Sequence, residues 1–459
     1  MVQPPSFFLR LASNTTPARR IPNVLLWLAV VLLFMLVHVP LESILPPVKS
    51  LLEALRKPEG LLSSVGINVP ELSSLTDEKL LALARNTLII PFKKICFIFS
   101  LCILLYPIVV TVKMDPVIRD AGAWRKRTRV GILVFVSLSV LVVPIGLRGL
   151  GMAYARMSIS PFDAQFGWYY RRLLMPGIAH MVGLSGYVFY FACSLACTFL
   201  LIIMVLWWFA SRGVELTLLH AVSIMTSSFV MFNFQLPGYP EQLALLLILL
   251  GTSLRLSDQG RLAIIALALA VHEASIVVLL PLVLFLFPPE ERKRAFVVML
   301  LFIGVFGIAN ARILGDVVRG HLMIGENGTP TWKLFIGEPA RVLLGAFLSF
   351  KLLWVLGANA IFMAFNQRDR RSGFAIASML LFPVVLLPFV MDMSRMMGLG
   401  FMGLLFAILF LSERQILARP IVRWLIALNL LVPSFYVGLD CGVLSHPGLY
   451  KLLFWWLLP

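Results

Sequence analysis

The sequence predicts an all-α fold, a polytopic transmembrane helical bundle of about thirteen membrane segments, with a short-helix hairpin and interfacial helices in external loops. Of the 459 residues, 60% are hydrophobic and 13% are charged, and the mean hydropathy is +0.94. A soluble domain of this length needs a more polar surface. Long apolar runs alternate with short basic clusters, which is typical of a multi-pass membrane protein.

The net charge of +17 does not indicate a nucleic-acid-binding protein. The basic residues lie in short clusters between apolar runs, where they orient the chain and contact anionic lipid headgroups. The sequence has no basic stripe interleaved with base-stacking aromatic residues. Membrane lipids, and no nucleic acid, are therefore the expected partners of these charges.

The membrane segments follow from the apolar runs that are long enough to span or nearly span a bilayer. These runs are 24–39, 95–112, 130–145, 187–209, 216–232, 243–254, 262–287, 295–310, 342–365, 373–391, 398–411 and 421–437. The basic clusters 125–127, 292–294, 368–371 and 414–423 are expected on the cytoplasmic side, together with the N-terminus.

The run 262–287 is predicted to be the hairpin. Arg255 and Arg261 precede it, and the basic cluster 292–294 follows it. If both flanks are cytoplasmic, the run must enter and leave on one side, as two short helices or a re-entrant hairpin. Its apex then lies near His272 and Glu273.

Three external loops are long enough to carry structure. The first contains amphipathic patterns at 48–57 and 76–86, which we expect to lie at the membrane interface. The second is the segment 161–180, and the third is 312–341. The tail 449–459 is predicted to be an interfacial anchor because it contains paired tryptophans.

The segment 161–180 is the most polar and aromatic interruption of the apolar chain. Asp163 is a candidate general base or metal ligand, or alternatively the cap of an interfacial helix. The run Tyr169, Tyr170, Arg171 and Arg172 offers flat faces for a sugar and planar forks for phosphate oxygens, with His180 as a further candidate ligand. The alternative is that these side chains anchor the span at the headgroups.

Ionisable residues interrupt two further apolar runs. An ionised Glu273 beside His272 is costly in a membrane unless it is paired or faces water, so it is a candidate catalytic group, or a structural pair that closes the hairpin. Asp392 and Arg395 are three residues apart at a helix end, where Arg395 is a candidate phosphate ligand or the partner of a local pair. The segment 238–241, which ends with Glu241, is expected to be a plain turn, or alternatively a turn that lines the same external cavity.

These motifs together resemble a known class. The chain reads D…YYRRLLMPGIAHMVG over 163–183, ALAVHEASIVVLLPLVLF over 268–285 and D-x-x-R over 392–395. It is similar over 130–411 to the GT-C class of integral-membrane glycosyltransferases, particularly to bacterial branches. Residues 1–129 would then be an N-terminal two-span addition with an external amphipathic loop, and 412–459 a C-terminal span and interfacial tail.

The resemblance implies an activity and a location. A GT-C enzyme in the bacterial inner membrane would move a sugar from a polyprenyl-phosphate donor to a glycan or lipid acceptor on the external face. The acidic residue of the first external loop would correspond to Asp163. The usual acidic pair is a single residue here, and a divalent metal is the one cofactor that the class implies.

Two other classes of protein remain alternatives. EpsG-like and Wzy-like polysaccharide polymerases carry a histidine in an apolar span, much like the VHEAS sequence at 271–275. A transporter or lipid-binding membrane protein is the non-enzymatic alternative, which predicts broken helices with polar residues near the midplane.

Overall fold

The computed structural model describes residues 79, 82, 85–86, 90–98, 121–142, 147, 149–162, 172–253, 258–287, 289–311, 315, 331–390, 392–438, 442–444 and 449. The named helices in these ranges are α1 (Ala121–Leu141), α2 (Leu150–Ile159), α3 (Leu174–Met181), α4 (Gly186–Ala210), α5 (Leu218–Met225), α6 (Ser228–Gln235), α7 (Glu241–Ser253), α8 (Asp258–Val271), α9 (Ile276–Leu286), α10 (Pro289–Ala309), α11 (Thr331–Gly337), α12 (Pro339–Phe350), α13 (Trp354–Asn366), α14 (Arg370–Leu381), α15 (Met393–Met397), α16 (Phe401–Ser412) and α17 (Pro420–Leu431). Short 3₁₀ turns cover Glu273–Ser275, Lys351–Leu353, Phe382–Phe389, Gly398–Gly400 and Ile416–Ala418.

The described ranges contain four helices that are long and apolar enough to cross a membrane. They are Gly186–Ala210, Pro339–Asn366, Arg370–Phe389 and Met393–Ser412. Several shorter apolar helices accompany them, and one small antiparallel hairpin, β1 (Tyr436–Gly438) with β2 (Gly442–Leu444), follows α17. The protein is therefore a helical membrane protein, and the number of about thirteen membrane segments stays a prediction, because the four helices are counted only in the part of the chain that the structure describes.

Several predicted segments lie outside the described residues. They include the run 24–39, most of 95–112, the amphipathic stretches 48–57 and 76–86 apart from isolated positions, and nearly all of the tail 449–459.

The helix Met393–Ser412 forms the centre of the bundle, because its apolar stretch is completely buried by other parts of the chain. Its C-terminal part, α16, packs closely on α14. A Cβ atom at Gly403 would lie 2.7 Å from the backbone nitrogen of Leu380. The lack of a side chain at Gly403 is thus what allows the two helices to approach each other.

The predicted span 216–232 is two short helices instead of one. α5 ends at Met225 and α6 begins at Ser228, with Thr226 and Ser227 between them. The carbonyl freed by the break does not lack a partner, because the Ser434 hydroxyl donates to Thr226 O at 2.5 Å. A break at this depth is tolerated when side chains satisfy the backbone groups.

The last predicted span, 421–437, also ends early. α17 stops at Leu431, and the chain enters β1 at Tyr436. Pro433 lies between them and has no backbone N–H to continue the helix. The apolar run therefore contains a short helix and a strand.

The run 262–287 turns back at His272, which lies between α8 and the 3₁₀ turn Glu273–Ser275. α9 then continues to Leu286. The guanidinium carbon of Arg261 lies 5.8 Å from the ring centroid of Phe287, so the two ends of the run are neighbours. This geometry agrees with the predicted hairpin and with its apex at His272 and Glu273.

Three arginines cap carbonyl groups at the ends of four helices. Arg212 donates to Trp208 O of α4 at 3.0 Å and to Thr252 O of α7 at 2.7 Å. Arg371 donates to the carbonyls of Phe285 and Phe287 at 2.8 and 3.0 Å, at the end of α9. At the end of α16, Arg414 donates to Phe410 O at 2.9 Å. Basic side chains at helix C-termini satisfy free carbonyls and complement the helix dipole.

Candidate functional site

Arg172 and Glu273 form a bidentate ion pair, although 101 positions separate them in the sequence. The guanidinium Nε donates to Oε2 of Glu273 at 2.8 Å, and Nη2 donates to Oε1 at 2.6 Å. The remaining nitrogen, Nη1, donates to the hydroxyl of Tyr154 on α2 at 2.9 Å. All three guanidinium nitrogens are used, so the fork of Arg172 is held in one orientation.

Glu241 is the first residue of α7 and is completely buried, at a helix end where the dipole favours a negative charge. Its Oε1 atom lies 3.3 Å from Nε2 of His272 and 3.4 Å from Nε of Arg395. Neither contact has hydrogen-bond alignment. Nδ1 of His272 accepts the N–H of Ala274 at 3.2 Å, which in a neutral ring assigns the proton to Nε2, facing Glu241.

Asp392 directly precedes α15 and pairs with Nη2 of Arg395, one turn further along the helix. It also accepts a hydrogen bond from the hydroxyl of Tyr436 on β1, and its backbone forms an antiparallel bridge with Gly438. The strand after α17 thus fixes the carboxylate, and the carboxylate fixes Arg395.

Aromatic rings surround the other side of Arg395. Its guanidinium carbon lies 4.8 Å from the ring centroid of Tyr239 and 5.7 Å from that of Phe232, which are cation–π distances. Phe232 in turn stacks on Tyr436 at 4.7 Å. Burial raises the pKa of Tyr239 to about 12, against the opposing effect of Arg395, so its hydroxyl stays protonated.

A tight turn sets the position of Glu241. Gly238 has φ +106°, a conformation that favours glycine, and its N–H donates to Oγ of Ser194 at 2.6 Å. The hydroxyl of Tyr190 donates to the carbonyl of Gly238 at 3.4 Å. A Cβ atom at Gly151 would lie 2.8 Å from the carbonyl oxygen of Pro237, so α2 packs directly against the turn. The expected plain turn is in fact buried and holds Glu241 inside the bundle.

The six ionisable residues of this region are named the polar cluster. They are Arg172, Glu241, His272, Glu273, Asp392 and Arg395. Two guanidinium groups face three carboxylates, so with a neutral His272 the cluster carries one net negative charge. Exposure of the side chains rises from 0% at Glu241 to 24% at Glu273 and 23% at Asp392. The cluster therefore opens at two carboxylates, each backed by an arginine.

Five of the ten residues proposed for the site from sequence meet in the polar cluster: Arg172, His272, Glu273, Asp392 and Arg395. The sequence also offered a local pair of Asp392 with Arg395, and a structural pair of His272 with Glu273, as alternatives to a functional role. Asp392 and Arg395 do pair locally, but Arg395 also reaches Glu241. The side chains of His272 and Glu273 face different partners, because His272 meets Glu241 while Glu273 meets Arg172.

His180 shares no described contact with the polar cluster. Its Nδ1 lies 3.1 Å from the carbonyl oxygen of Ser158, and its ring meets Phe162 edge-on at 6.3 Å. Burial lowers the pKa of His180. These contacts fit a structural role between α2 and α3. The other four candidates, Asp163, Tyr169, Tyr170 and Arg171, lie outside the described residues.

Sequence reasoning missed two members of the site and undervalued a third. Tyr154 and Tyr436 carry no motif, since a tyrosine near an apolar run is commonly a headgroup anchor. Glu241 was expected in a plain turn. The signal that could have found it is the cost of an acidic residue at the start of an apolar helix, which calls for a buried partner.

The described residues contain no group of three or more His, Cys, Asp or Glu side chains placed to hold a metal ion. Asp163, which the class resemblance links to a divalent metal, is outside these ranges. Comparisons of the chain with protein-family models, with curated proteins and with solved structures find no match.

Proposed function

We propose that the protein is a membrane glycosyltransferase that moves a sugar from a polyprenyl-phosphate donor to a glycan or lipid acceptor. The observation that supports this proposal is the polar cluster itself. Four separate parts of the chain bring arginines suited to phosphate and carboxylates suited to proton transfer to one place between apolar helices. Groups this costly to bury in a membrane are functional candidates by default.

The proposed reaction is a single displacement. The acceptor hydroxyl oxygen forms a bond to the anomeric carbon of the sugar, and the bond from that carbon to the phosphate oxygen breaks. The polyprenyl phosphate leaves with the bonding electron pair, and the hydroxyl proton passes to a carboxylate. Asp163 is the proposed base, and Glu273 is its competitor within the polar cluster.

The proposed location is the bacterial inner membrane with the N-terminus in the cytoplasm. The arginine-capped helix ends would then lie at the cytoplasmic side, and the polar cluster toward the external side. Donor and acceptor would both reach the cluster from the external leaflet.

The test compares Asp163→Asn with Glu273→Gln in membranes with matched expression, using a radiolabelled polyprenyl-phosphate sugar. General-base assistance contributes about 10²–10⁴ in rate, so Asp163→Asn should remove most transfer. If Glu273→Gln is inactive and Asp163→Asn is active, Glu273 in the hairpin is the catalytic residue, and a polysaccharide polymerase becomes the better assignment. If both retain full transfer, neither carboxylate is the base; if membranes with the wild-type protein show no transfer, the enzyme proposal fails.

A transporter is the second candidate, and the break at His272 favours it. Two short helices meet there at buried polar residues, as the broken helices of secondary transporters do. Uptake of a labelled sugar phosphate into vesicles, without formation of a glycosidic product, would support transport over transfer.

A further inference from the structure

The pair between Arg172 and Glu273 has the geometry in which arginine binds phosphate. Nε and Nη2 each donate one bond to a different oxygen of the carboxylate, at 2.8 and 2.6 Å. A phosphate presents two oxygens to the same planar fork. The Glu273 carboxylate thus occupies the position on Arg172 that a phosphate would take.

The two partners differ in their exposure to solvent. Arg172 is 5% exposed, and its Nη1 donates to the Tyr154 hydroxyl, away from the fork that faces Glu273. The side chain of Glu273 is 24% exposed and starts from a 3₁₀ turn between two helices. The guanidinium group of Arg172 is therefore buried, while the Glu273 carboxylate that faces it lies at the open edge of the polar cluster.

Charge favours replacement of Glu273 over simple addition of a phosphate. The polar cluster already has one more carboxylate than it has guanidinium groups, and an added anion would be repelled in a region of low dielectric. If Glu273 turns outward when phosphate arrives, the fork of Arg172 still faces one anionic group. The cost of burying another charge is then avoided.

Arg395 is a poorer phosphate site by the same criteria. Its partner Glu241 is fully buried, and its partner Asp392 is held in addition by Tyr436 and by the backbone of Gly438. Glu241 cannot leave Arg395 without disturbing the core of the bundle, and displacement of Asp392 would also break its hydrogen bond to Tyr436.

We propose that the phosphate of a polyprenyl-phosphate ligand binds Arg172 by displacing the carboxylate of Glu273, which holds the site in the absence of ligand. This inference rests on the proposed function, because it names the donor's anchoring point. The freed carboxylate of Glu273 would then point outward, at the solvent-accessible mouth of the cluster.

The experiment measures binding of farnesyl phosphate, with farnesol as the phosphate-free probe, to the full chain in detergent micelles by calorimetry. The wild type should prefer the phosphate. Glu273→Gln removes a competing charge-assisted pair, so it should bind farnesyl phosphate about tenfold more tightly and farnesol unchanged. Glu273→Asp keeps the charge but shortens its reach, and an intermediate gain is expected.

The matched control is Glu338→Gln, because Glu338 also pairs with an arginine, Arg341, but on an exposed surface. It should bind both probes as the wild type does. If the wild type prefers phosphate but Glu273→Gln and Glu273→Asp bind it no more tightly, the displacement is wrong and the proposed function stands. If the wild type binds farnesyl phosphate and farnesol equally well, both the phosphate site and the proposed polyprenyl-phosphate donor are wrong.

Discussion

Glu241 and Arg395 lie 3.4 Å apart, between Oε1 of the carboxylate and Nε of the guanidinium, in a part of the bundle that solvent does not reach. One residue opens α7 and the other lies in α15, so the contact joins the start of a short helix to the central one. Breaking a buried pair of this kind by removing one charge leaves the other buried without compensation.

Glu241→Gln is therefore expected to destabilise the protein. The loss should be about 3–5 kcal/mol in the free energy of unfolding, since Arg395 would lose one of its two carboxylates. Denaturant titration of the purified protein in detergent micelles measures it. Glu338→Gln serves as the control and should unfold as the wild type does, because its pair with Arg341 is exposed. Equal stability of the two variants would mean that the Glu241 carboxylate is not charged in the folded protein.

Arg172→Lys should weaken use of the donor while leaving the fold in place. Lysine keeps the positive charge but cannot donate two parallel bonds, so KM for the polyprenyl-phosphate sugar should rise about tenfold or more. Steady-state transfer assays in membranes measure the change. Arg341→Lys, at an exposed pair, is the matched control and should leave KM unaltered. A normal KM in Arg172→Lys would exclude the fork as the phosphate site.

Two helical glycines should respond in opposite ways to alanine. A Cβ atom at Gly403 would lie 2.7 Å from Leu380 N, so Gly403→Ala should cost about 1–3 kcal/mol by forcing α14 and α16 apart. At Gly304 nothing lies within 4 Å of the new atom, and Gly304→Ala should stabilise α10 by up to about 1 kcal/mol. Thermal unfolding in detergent compares them. The packing of the central helix would need revision if the two variants shifted the midpoint alike.

Sidedness can be tested with single cysteines in a chain whose five native cysteines have been replaced. Lys126→Cys and Lys293→Cys should label from the cytoplasmic side, because both belong to basic clusters. Glu338→Cys should label from the external side. A membrane-impermeant maleimide applied to intact cells and to inverted vesicles distinguishes the two. Labelling of Lys126→Cys and Lys293→Cys from opposite sides would contradict the hairpin topology.

The sequence contained enough information for the class of fold and for much of the site. Apolar runs predicted a helical membrane protein, and the basic flanks of 262–287 predicted a run that turns back near His272. The cost of ionisable groups in a membrane identified Glu273, Asp392 and Arg395 before any contact was known. Each of these inferences rests on a local property of the chain.

The remainder depended on contacts that no local pattern contains. Tyr154 and Tyr436 belong to the site only because α2 and β1 pack against the segments that carry Arg172 and Asp392. The break in 216–232 is likewise invisible in hydropathy. It depends on a hydroxyl at Ser434, about two hundred positions away, that satisfies the carbonyl of Thr226.

The arginines at the helix ends have a consequence for redesign of this chain. Arg212, Arg371 and Arg414 close the last turns of helices, and in the proposed topology the same three positive charges lie on the cytoplasmic side and help to orient the chain. Replacing all three by lysine would preserve the insertion signal. An ammonium group cannot reproduce the spread of a guanidinium that, in Arg212, ties the ends of α4 and α7 together. Such a chain would insert with an unchanged orientation, but the last turns of these helices would be less stable.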